Sequence, residues 1–394
     1  MKLCRLFGAA LFVLAFEGAA FASSSVDFAK SLGTGWNLGN TLDAFVDDEK
    51  ASESTQGLNS ETSWGMPKTT KPMIDFVREA GFKTVRIPVT WHNHIIDEKN
   101  YTIDSEWMDR VREIVDYAYD EGMYVIINVH HDTINKDIYG KSASNGRKIV
   151  GYVLDEKYEE QSKAYLSAVW KQIAAAFKEY DEHLIFEVLN EPRAVGTPDE
   201  WYVADSKKAS RYCSLITEYE ETCIQTIRNS GGNNRTRYLM FPCYAGSNSL
   251  IHYFTVPQDP AVDRLLFSVH AYSPYPFAMY DSSHKDKSFD KSDESDLYYL
   301  FEDINDVFIK KGIGTVIGET SAENKNNLKD REKWASYFFG TARKNYSMPA
   351  ILWDNNVSTP DTDSSGEHHG YLDRNRLTWY FPTIIKAALG QPLK

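Results

Sequence analysis

A single (β/α)8 barrel, an α/β fold also called a TIM barrel, is the architecture this 394-residue sequence predicts, on three observations. Eight short apolar runs with strand character recur along the chain, helical patterns separate most of them, and the links differ in length by side. Helix-to-strand links are tight, as in Glu79-Ala80-Gly81-Phe82 and Asp120-Glu121-Gly122-Met123, whereas residues 41–66, 132–157, 273–296 and 354–378 make long strand-to-helix loops. Long loops gather where a barrel builds its site, at the C-terminal ends of the strands, so an open cleft is expected on that face. A doubly wound open sheet would carry a Gly-rich phosphate loop after its first strand, and none is present.

At the N-terminus, Lys2 and Arg5 precede the apolar run Leu6 to Phe16, and Ala20-Phe21-Ala22 offers a small-residue cleavage site. That order predicts a secretory signal peptide over residues 1–22, leaving 23–394 as one barrel domain. A membrane anchor is the alternative, but the run is well short of the ~20 residues a spanning helix needs. The expected location is therefore outside the cytoplasm, in the periplasm or beyond the cell.

The expected strands are residues 36–39, 84–89, 123–130, 184–190, 238–242, 265–270, 315–319 and 350–353. Between the second and third runs, Trp107, Val111, Ile114, Val115 and Ala118 recur at helical spacing until Gly122 stops them. Residues 164–177, 300–308 and 379–389 repeat that theme. Cys213 and Cys223 fall on one further helix, ten positions and thus ~15 Å apart, whereas a disulfide needs Cα atoms within ~7 Å. Three buried thiols, with Cys243, is the simplest expectation; a bridge from either to Cys243 is the other.

Composition narrows the function. Hydrophobic residues make up 42% and charged residues 25%, ample for a large core, and no linker or low-complexity tract divides the chain. A formal charge of −13, with no basic stripe, repels phosphate polymers and excludes nucleic acid as the expected partner.

Two apolar runs lead directly into a carboxylate: Leu184 to Asn190 into Glu191, and Gly314 to Gly318 into Glu319. Each glutamate is thereby set at the rim of a barrel, on the fourth and seventh strands. Strand spacing of ~4.8 Å and a tilt of ~36° put such positions roughly 14 Å apart, and inward side chains close that to roughly 6 Å between carboxylates. This lies nearer the ~5 to 5.5 Å of retaining glycosidases than most of the inverting range. Arg86 and Tyr272 are placed to hydrogen-bond Glu319 and keep it a nucleophile, while Asn190 is placed to grip a sugar 2-hydroxyl beside Glu191. Glu191 is then the acid/base, with a pKa expected to be raised by lost solvation and a neighbouring carboxylate. Trp36, Trp64, Trp91, Trp201 and Trp353 fall at strand ends or in the long loops, where indole faces could carry sugar rings; Trp353 closes the last strand and is the expected platform under the sugar being cleaved.

These segments resemble glycoside hydrolase family 5, in particular its bacterial subfamily 4 of endo-β-1,4-glucanases and xyloglucanases. The resemblance rests on Trp36 to Ala44, Trp64 to Thr70, Arg86 to Trp91, His130-His131, Leu189 to Arg193, His270-Ala271-Tyr272 and Ile317-Gly318-Glu319, in order along the chain from about Gly33 onward. It implies a secreted retaining endo-β-1,4-glucanase that cuts internal bonds of cellulose, mixed-linkage glucan or xyloglucan by double displacement. Glu191 is implied as acid/base and Glu319 as nucleophile, with Asn37, Arg86, Trp91, His130, His131, Asn190, His270, Tyr272 and Trp353 binding sugar or supporting the glutamates. It implies no metal or cofactor, a β-glucan as partner, no membrane after cleavage of the signal, a monomer, and a cis peptide after Trp353. Thr320-Ser321 and Asp132 depart from the family pattern, and they bear on the shape of the cleft rather than on the chemistry.

Other readings are weaker. His130, His131 and Asp132 lack a recognised metal spacing. Asp361 to Gly366 imitates a calcium loop, but Leu372 stands where the bidentate glutamate belongs. The charged run 281–296 reads as a solvated loop. A non-catalytic glucan-binding protein would normally lack one of the two carboxylates. A β-mannanase or xylanase of the same fold and mechanism is the alternative within hydrolases.

Overall fold

The computed structural model describes residues 24–46, 52–143, 146–279, 286–360 and 367–393. The expected signal peptide and the calcium-like run Asp361 to Gly366 lie outside these residues. Eight parallel strands close into a barrel: β1 (Gly35–Asn37), β2 (Thr84–Ile87), β3 (Tyr124–Asn128), β4 (Leu184–Glu187), β5 (Leu239–Pro242), β6 (Leu265–His270), β7 (Gly314–Thr320) and β8 (Ala350–Leu352). Each pairs with its sequence neighbours, and β1 joins β8 through Gly35 opposite Ile351. The predicted α/β barrel is therefore the fold observed.

Alternation along the strands sorts the residues. Val85, Ile87, Val125, Ile127, Phe186, Phe241, Phe267 and Ile317 belong to the large core shared with the outer helices. Ile126, Ile185, Met240, Leu266, Val316 and Ile351 form a separate inner cluster, closed from below by Phe28, Ala29 and Leu32 of α1 (Ser25–Leu32). Phe28 stacks on Tyr238 at 3.5 Å, and Ser25 Oγ donates to the Gly312 carbonyl, so α1 seals the N-terminal end of the barrel. Above that plug the inward positions turn polar, with Asn37, Arg86, Asn128, Glu187 and Ser268 all fully buried.

The outer helices are α2 (Lys71–Ala80), α3 (Ser105–Tyr119), α4 (Glu159–Ala176), α5 (Ser206–Asn229), the short α6 (Tyr275–Ala278), α7 (Lys291–Val307), α8 (Leu328–Asn345) and α9 (Pro382–Leu389). Helix α3 shows why they form. Asp104 caps it by accepting from the Glu106 N–H at 3.0 Å, and its stripe Trp107, Val111, Ile114, Val115 and Ala118 is wholly buried. Each such Val or Ile contributes about 1.5–3 kcal/mol by leaving water.

Several expectations need correction. Strand β4 ends at Glu187, three residues before the expected limit, although the Val188 N–H still bonds the Met240 carbonyl. Asn190 and Glu191 thus begin the loop. Residues 291–296 of the charged run are the first turns of α7, because Asp290 and Asp293 form a capping box, while residues 281–285 lie outside the described residues. Trp379 belongs to a small antiparallel pair, Leu372–Asp373 with Thr378–Trp379, and the last helix starts only at Pro382. Helices α1 and α8 were not anticipated, whereas α2 was implied by the helix-to-strand link at Glu79 to Phe82. Cys213, Cys223 and Cys243 are buried free thiols, as expected. Among the described residues no helix is long and apolar enough to cross a membrane.

Candidate active site

Arg86 organises the polar layer. Projecting inward from β2 with no exposure, its Nη1 donates to Glu319 Oε1 at 2.7 Å and Asn37 Oδ1 at 3.0 Å, while Nη2 donates to Asn190 Oδ1 at 2.7 Å. Its Nε and Nη2 both reach Glu187 Oε2, at 2.9 and 2.7 Å. Burial opposes the guanidinium charge, but the charges of Glu187 and Glu319 outweigh it and hold the pKa above the ordinary arginine range. Asn37 completes its own satisfaction by donating to the Gly318 carbonyl at 2.9 Å. It is a support beneath the cleft.

Glu319, near the end of β7, receives Tyr272 Oη on Oε2 at 2.9 Å in addition to Arg86. Glu191 faces it across His270. The His270 Nδ1 lies 2.7 Å from Glu191 Oε1 and 3.6 Å from Glu319 Oε2, and one oxygen of each carboxylate falls within 4.8 Å of the other. Gly246, with φ +63°, lets the backbone approach this pair: a Cβ there would stand 3.0 Å from His270 Nδ1 and 3.1 Å from Glu191 Cγ.

The charge balance corrects one expectation. Burial raises the Glu191 carboxyl, yet the hydrogen bond and charge of His270, with Arg193 and His131, overcome it and pull the pKa below the ordinary value. Burial lowers His270, but Glu319 and Glu191 outweigh it and raise the imidazole. The proton belongs to the His270–Glu191 pair, and in the free protein it favours the ring.

His130 and His131 line the same cleft, and with Asp43 they bring one ligand atom each within 4.8 Å of one another. Hydrogen bonding argues against a metal there. Asn128 accepts the Val89 N–H through Oδ1 at 3.0 Å and donates to Glu187 through Nδ2 at 2.9 Å, so its orientation is set. The same Nδ2 stands 2.9 Å from His130 Nδ1, whereas the Asn190 Nδ2 donor is a longer 3.4 Å from Nε2, so the shorter contact makes Nδ1 the acceptor and leaves Nε2 protonated and unable to ligate. Burial, then the charges of His131 and Arg86, hold His130 neutral. It is a donor facing the cleft. Asp132 points elsewhere, to the Trp91 N–H and the Tyr165 hydroxyl.

The tryptophans divide. Trp36 and Trp91 are wholly buried, their indole N–H groups bonded to Asp354 Oδ2 and the Asn128 carbonyl at 2.9 Å each, so Trp91 supports the strand ends rather than touching substrate. Trp64, Trp201 and Trp353 line a cleft of about 940 Å3. Trp353 lies parallel to His130 with ring centroids 6.2 Å apart, and Gly39 leaves room for its indole, since a Cβ there would meet it at 2.8 Å. The peptide after Trp353 is not cis; the cis bond among the described residues is Ser273–Pro274.

Sequence reasoning missed Glu187, Asp43 and Glu367. Glu187 was legible as a charge inside an apolar strand at an inward position, where a fully buried carboxylate requires partners; it takes Arg86, Asn128 and the Ser268 hydroxyl. Asp43 accepts the N–H groups of Asn40 and Thr41, and burial nevertheless raises it to about 7. Glu367 comes from the loop after β8 and gave no local signal.

Comparison with known proteins agrees with this geometry. Residues 46–359 match the family described as Cellulase (glycosyl hydrolase family 5). Endoglucanase B of Ruminococcus albus is 42% identical over 92% of this chain and 80% of its own length. A GH5-4 broad specificity endoglucanase from Ruminococcus champanellensis, solved with bound cellotriose, is 39% identical with a TM-score of 0.81, covering 93% of this chain and 98% of that one. A GH5 family lichenase from Caldicellulosiruptor sp. F32 is 36% identical with a TM-score of 0.85, covering 99% of both. With its closed barrel and two facing carboxylates, the chain is a glycoside hydrolase and belongs to the cellulase family, glycosyl hydrolase family 5.

Proposed function

We propose that this enzyme is a secreted, retaining endo-β-1,4-glucanase acting on β-glucans by double displacement. The observation that carries the mechanism is the approach of one Glu191 oxygen to within 4.8 Å of one Glu319 oxygen, which favours the close spacing of a retaining pair over the wider one in which an inverting pair holds its water. Glu319 attacks the anomeric carbon while Glu191 gives its proton to the departing glycosidic oxygen, whose bond to that carbon breaks. A water then loses its proton to Glu191 and attacks the same carbon, releasing Glu319.

The leaving-group proton is held by the pair of His270 and Glu191, 2.7 Å apart, and settles on Glu191 as negative charge grows on the glycosidic oxygen. Arg86 and Tyr272 keep both Glu319 oxygens aimed. His130 Nε2–H and Asn190 donate to sugar hydroxyls, and Trp353 lies under the ring being cleaved.

Relatives whose names cite broad specificity endoglucanase activity with bound cellotriose, lichenase activity and xyloglucan-specific endo-β-1,4-glucanase activity support cellulose, mixed-linkage glucan and xyloglucan as substrates. Secretion is supported by the order of charged, apolar and small residues in positions 1–22. The direct test is Glu319→Gln on lichenan, with a fall of about a thousandfold or more in reducing-end release expected. Wild-type release by that variant would overturn the assignment. Product profiles on carboxymethylcellulose, lichenan, xyloglucan, xylan and mannan test the substrate class, and cleavage of mannan alone would overturn it.

A further inference from the structure

Lysine is rarely buried in full, yet Lys325, in the segment after β7, has no exposure to solvent. Its Nζ donates to four main-chain carbonyls, those of Pro276 and Phe277 at 2.8 Å, Met279 at 2.9 Å and Asp286 at 3.2 Å. An ammonium group has three N–H donors and no acceptor, so it leaves water only where oxygens converge on it. Converging carbonyls are also what replaces the water around a potassium ion in a protein.

The cage serves the loop after β6. Helix α6 has four residues, and so short a helix leaves its last carbonyls without an intrahelical donor; the lysine takes that place. Neighbouring donors act on the same stretch. The Glu323 N–H bonds the Ala278 carbonyl at 2.9 Å, Asn327 Nδ2 the Lys287 carbonyl at 3.1 Å, and Trp334 Nε1 the Ser273 carbonyl at 2.9 Å. Asn327 Oδ1 also accepts the Lys325 N–H at 3.1 Å, which fixes the backbone that carries the cation. Residues 323–334 thus hold the main chain at 273–279 and 286–287 from behind. On the other side of that chain Tyr275 and Met279 line the cleft, which Lys325 itself does not reach, while Phe277 packs inward on Phe289 with ring centroids 5.5 Å apart.

We propose that Lys325 is a positioning residue serving as a built-in monovalent cation: its caged ammonium sets the wall that carries Tyr275 and Met279, and removal of the side chain leaves a site for a small ammonium ion. The inference rests on a β-glucan occupying the cleft. The two facing carboxylates are held separately, Glu319 by Arg86 and Tyr272 and Glu191 by His270, so loss of the cage falls on KM rather than on kcat.

The wild-type protein is measured first. With isotope-labelled lysine, its NMR spectrum is expected to contain a side-chain ammonium resonance whose hydrogens exchange slowly with water, and Lys325→Met should delete it. Absence of such a resonance from the wild type overturns the cage, whatever the variants do. Lys325→Met keeps the length of the side chain and removes the charge; it is expected to raise KM for cellopentaose about tenfold while kcat stays within about twofold of wild type. Lys325→Ala should show the same rise. That variant lacks the atoms of propylammonium, so adding this cation is expected to return KM towards the wild-type value, whereas tetramethylammonium, which has no N–H, should fail at the same ionic strength. Wild-type KM in both variants, a fall in kcat without a rise in KM, or equal recovery with either cation overturns the proposal. Hydrolysis of cellopentaose by the wild type checks the substrate reading by itself. Should it fail, the ammonium resonance, and a rise in the melting temperature of Lys325→Ala with propylammonium but not tetramethylammonium, still decide the cage.

Discussion

Arg86 and Glu187 meet through two hydrogen bonds, at 2.7 and 2.9 Å, with neither side chain exposed to solvent, one layer beneath the facing carboxylates. The same cation holds Glu319, so the ion pair beneath the cleft and the geometry of the proposed nucleophile are one unit. Removing the cation leaves two carboxylates buried without it. Arg86→Ala is expected to lose about 3–5 kcal/mol of unfolding free energy in urea titrations, together with activity. Glu187→Gln keeps the shape and removes one charge; it is expected to cost less stability, and a kcat change without a matching KM change would show that the pair acts by aiming Glu319.

Tyr272 supplies one of the two donors on Glu319. Tyr272→Phe removes a single hydrogen bond to a carboxylate, worth about 1.5–3 kcal/mol, and should lower kcat roughly 10- to 100-fold together with a loss of stability no larger than that bond. Steady-state kinetics on lichenan beside a melting curve checks both halves.

Gly246→Ala should injure the same site from behind. The position has φ +63°, and the new methyl would press on His270 Nδ1 and Glu191 Cγ. Left-handed backbone at a non-glycine residue costs of order 1–3 kcal/mol, so a measurable loss of stability is expected along with a fall in kcat. Unchanged kcat would show that the pair tolerates displacement.

One contribution to acid lability, among those of several buried histidines, can be assigned to a single side chain. His92 is buried and its pKa falls to about 4, by burial alone. The unfolded chain therefore takes up a proton near pH 6.5 that the folded chain refuses until about 4. The stabilising contribution is complete above 6.5 and is lost as pH falls toward 4, at up to about 1.4 kcal/mol per pH unit. His92→Leu should remove that slope, so the difference in unfolding free energy between wild type and variant should shrink or change sign as pH falls from 7 to 4.5. Parallel curves across this range would contradict the assignment. Asp43 and Asp132 work in the opposite sense: burial raises both to about 7, so their contribution is present at low pH and lost as pH rises through 7. For that reason the single-site variant, and not the wild-type curve, is the measurement to make.

Local pattern was enough for much of this molecule. Strand runs such as Leu184 to Glu187 and helical stripes such as Trp107 to Ala118 reflect periods of two and 3.6 residues, which a sequence displays directly, and the positions of Glu191 and Glu319 followed from where those runs stop. The short helix α1 did not follow, because its reason to exist is the open end of a barrel that forms only when Phe28 meets Tyr238. Nor did the division of the tryptophans, since Trp36 and Trp64 look alike in sequence and differ only in what covers them.

The sequence by itself determined the barrel, the order of its strands and the two carboxylates at its rim, because each depends on neighbours a few residues away. The hydrogen bond from Arg86 to Glu319, 233 positions away, was expected and is observed, but the tertiary structure alone decided that the same guanidinium also binds Glu187 beneath them and that the shared proton of His270 and Glu191 favours the ring. Closure of the barrel brings those side chains together out of water, and the strength and sign of their interactions come from that shared burial, which no local pattern records.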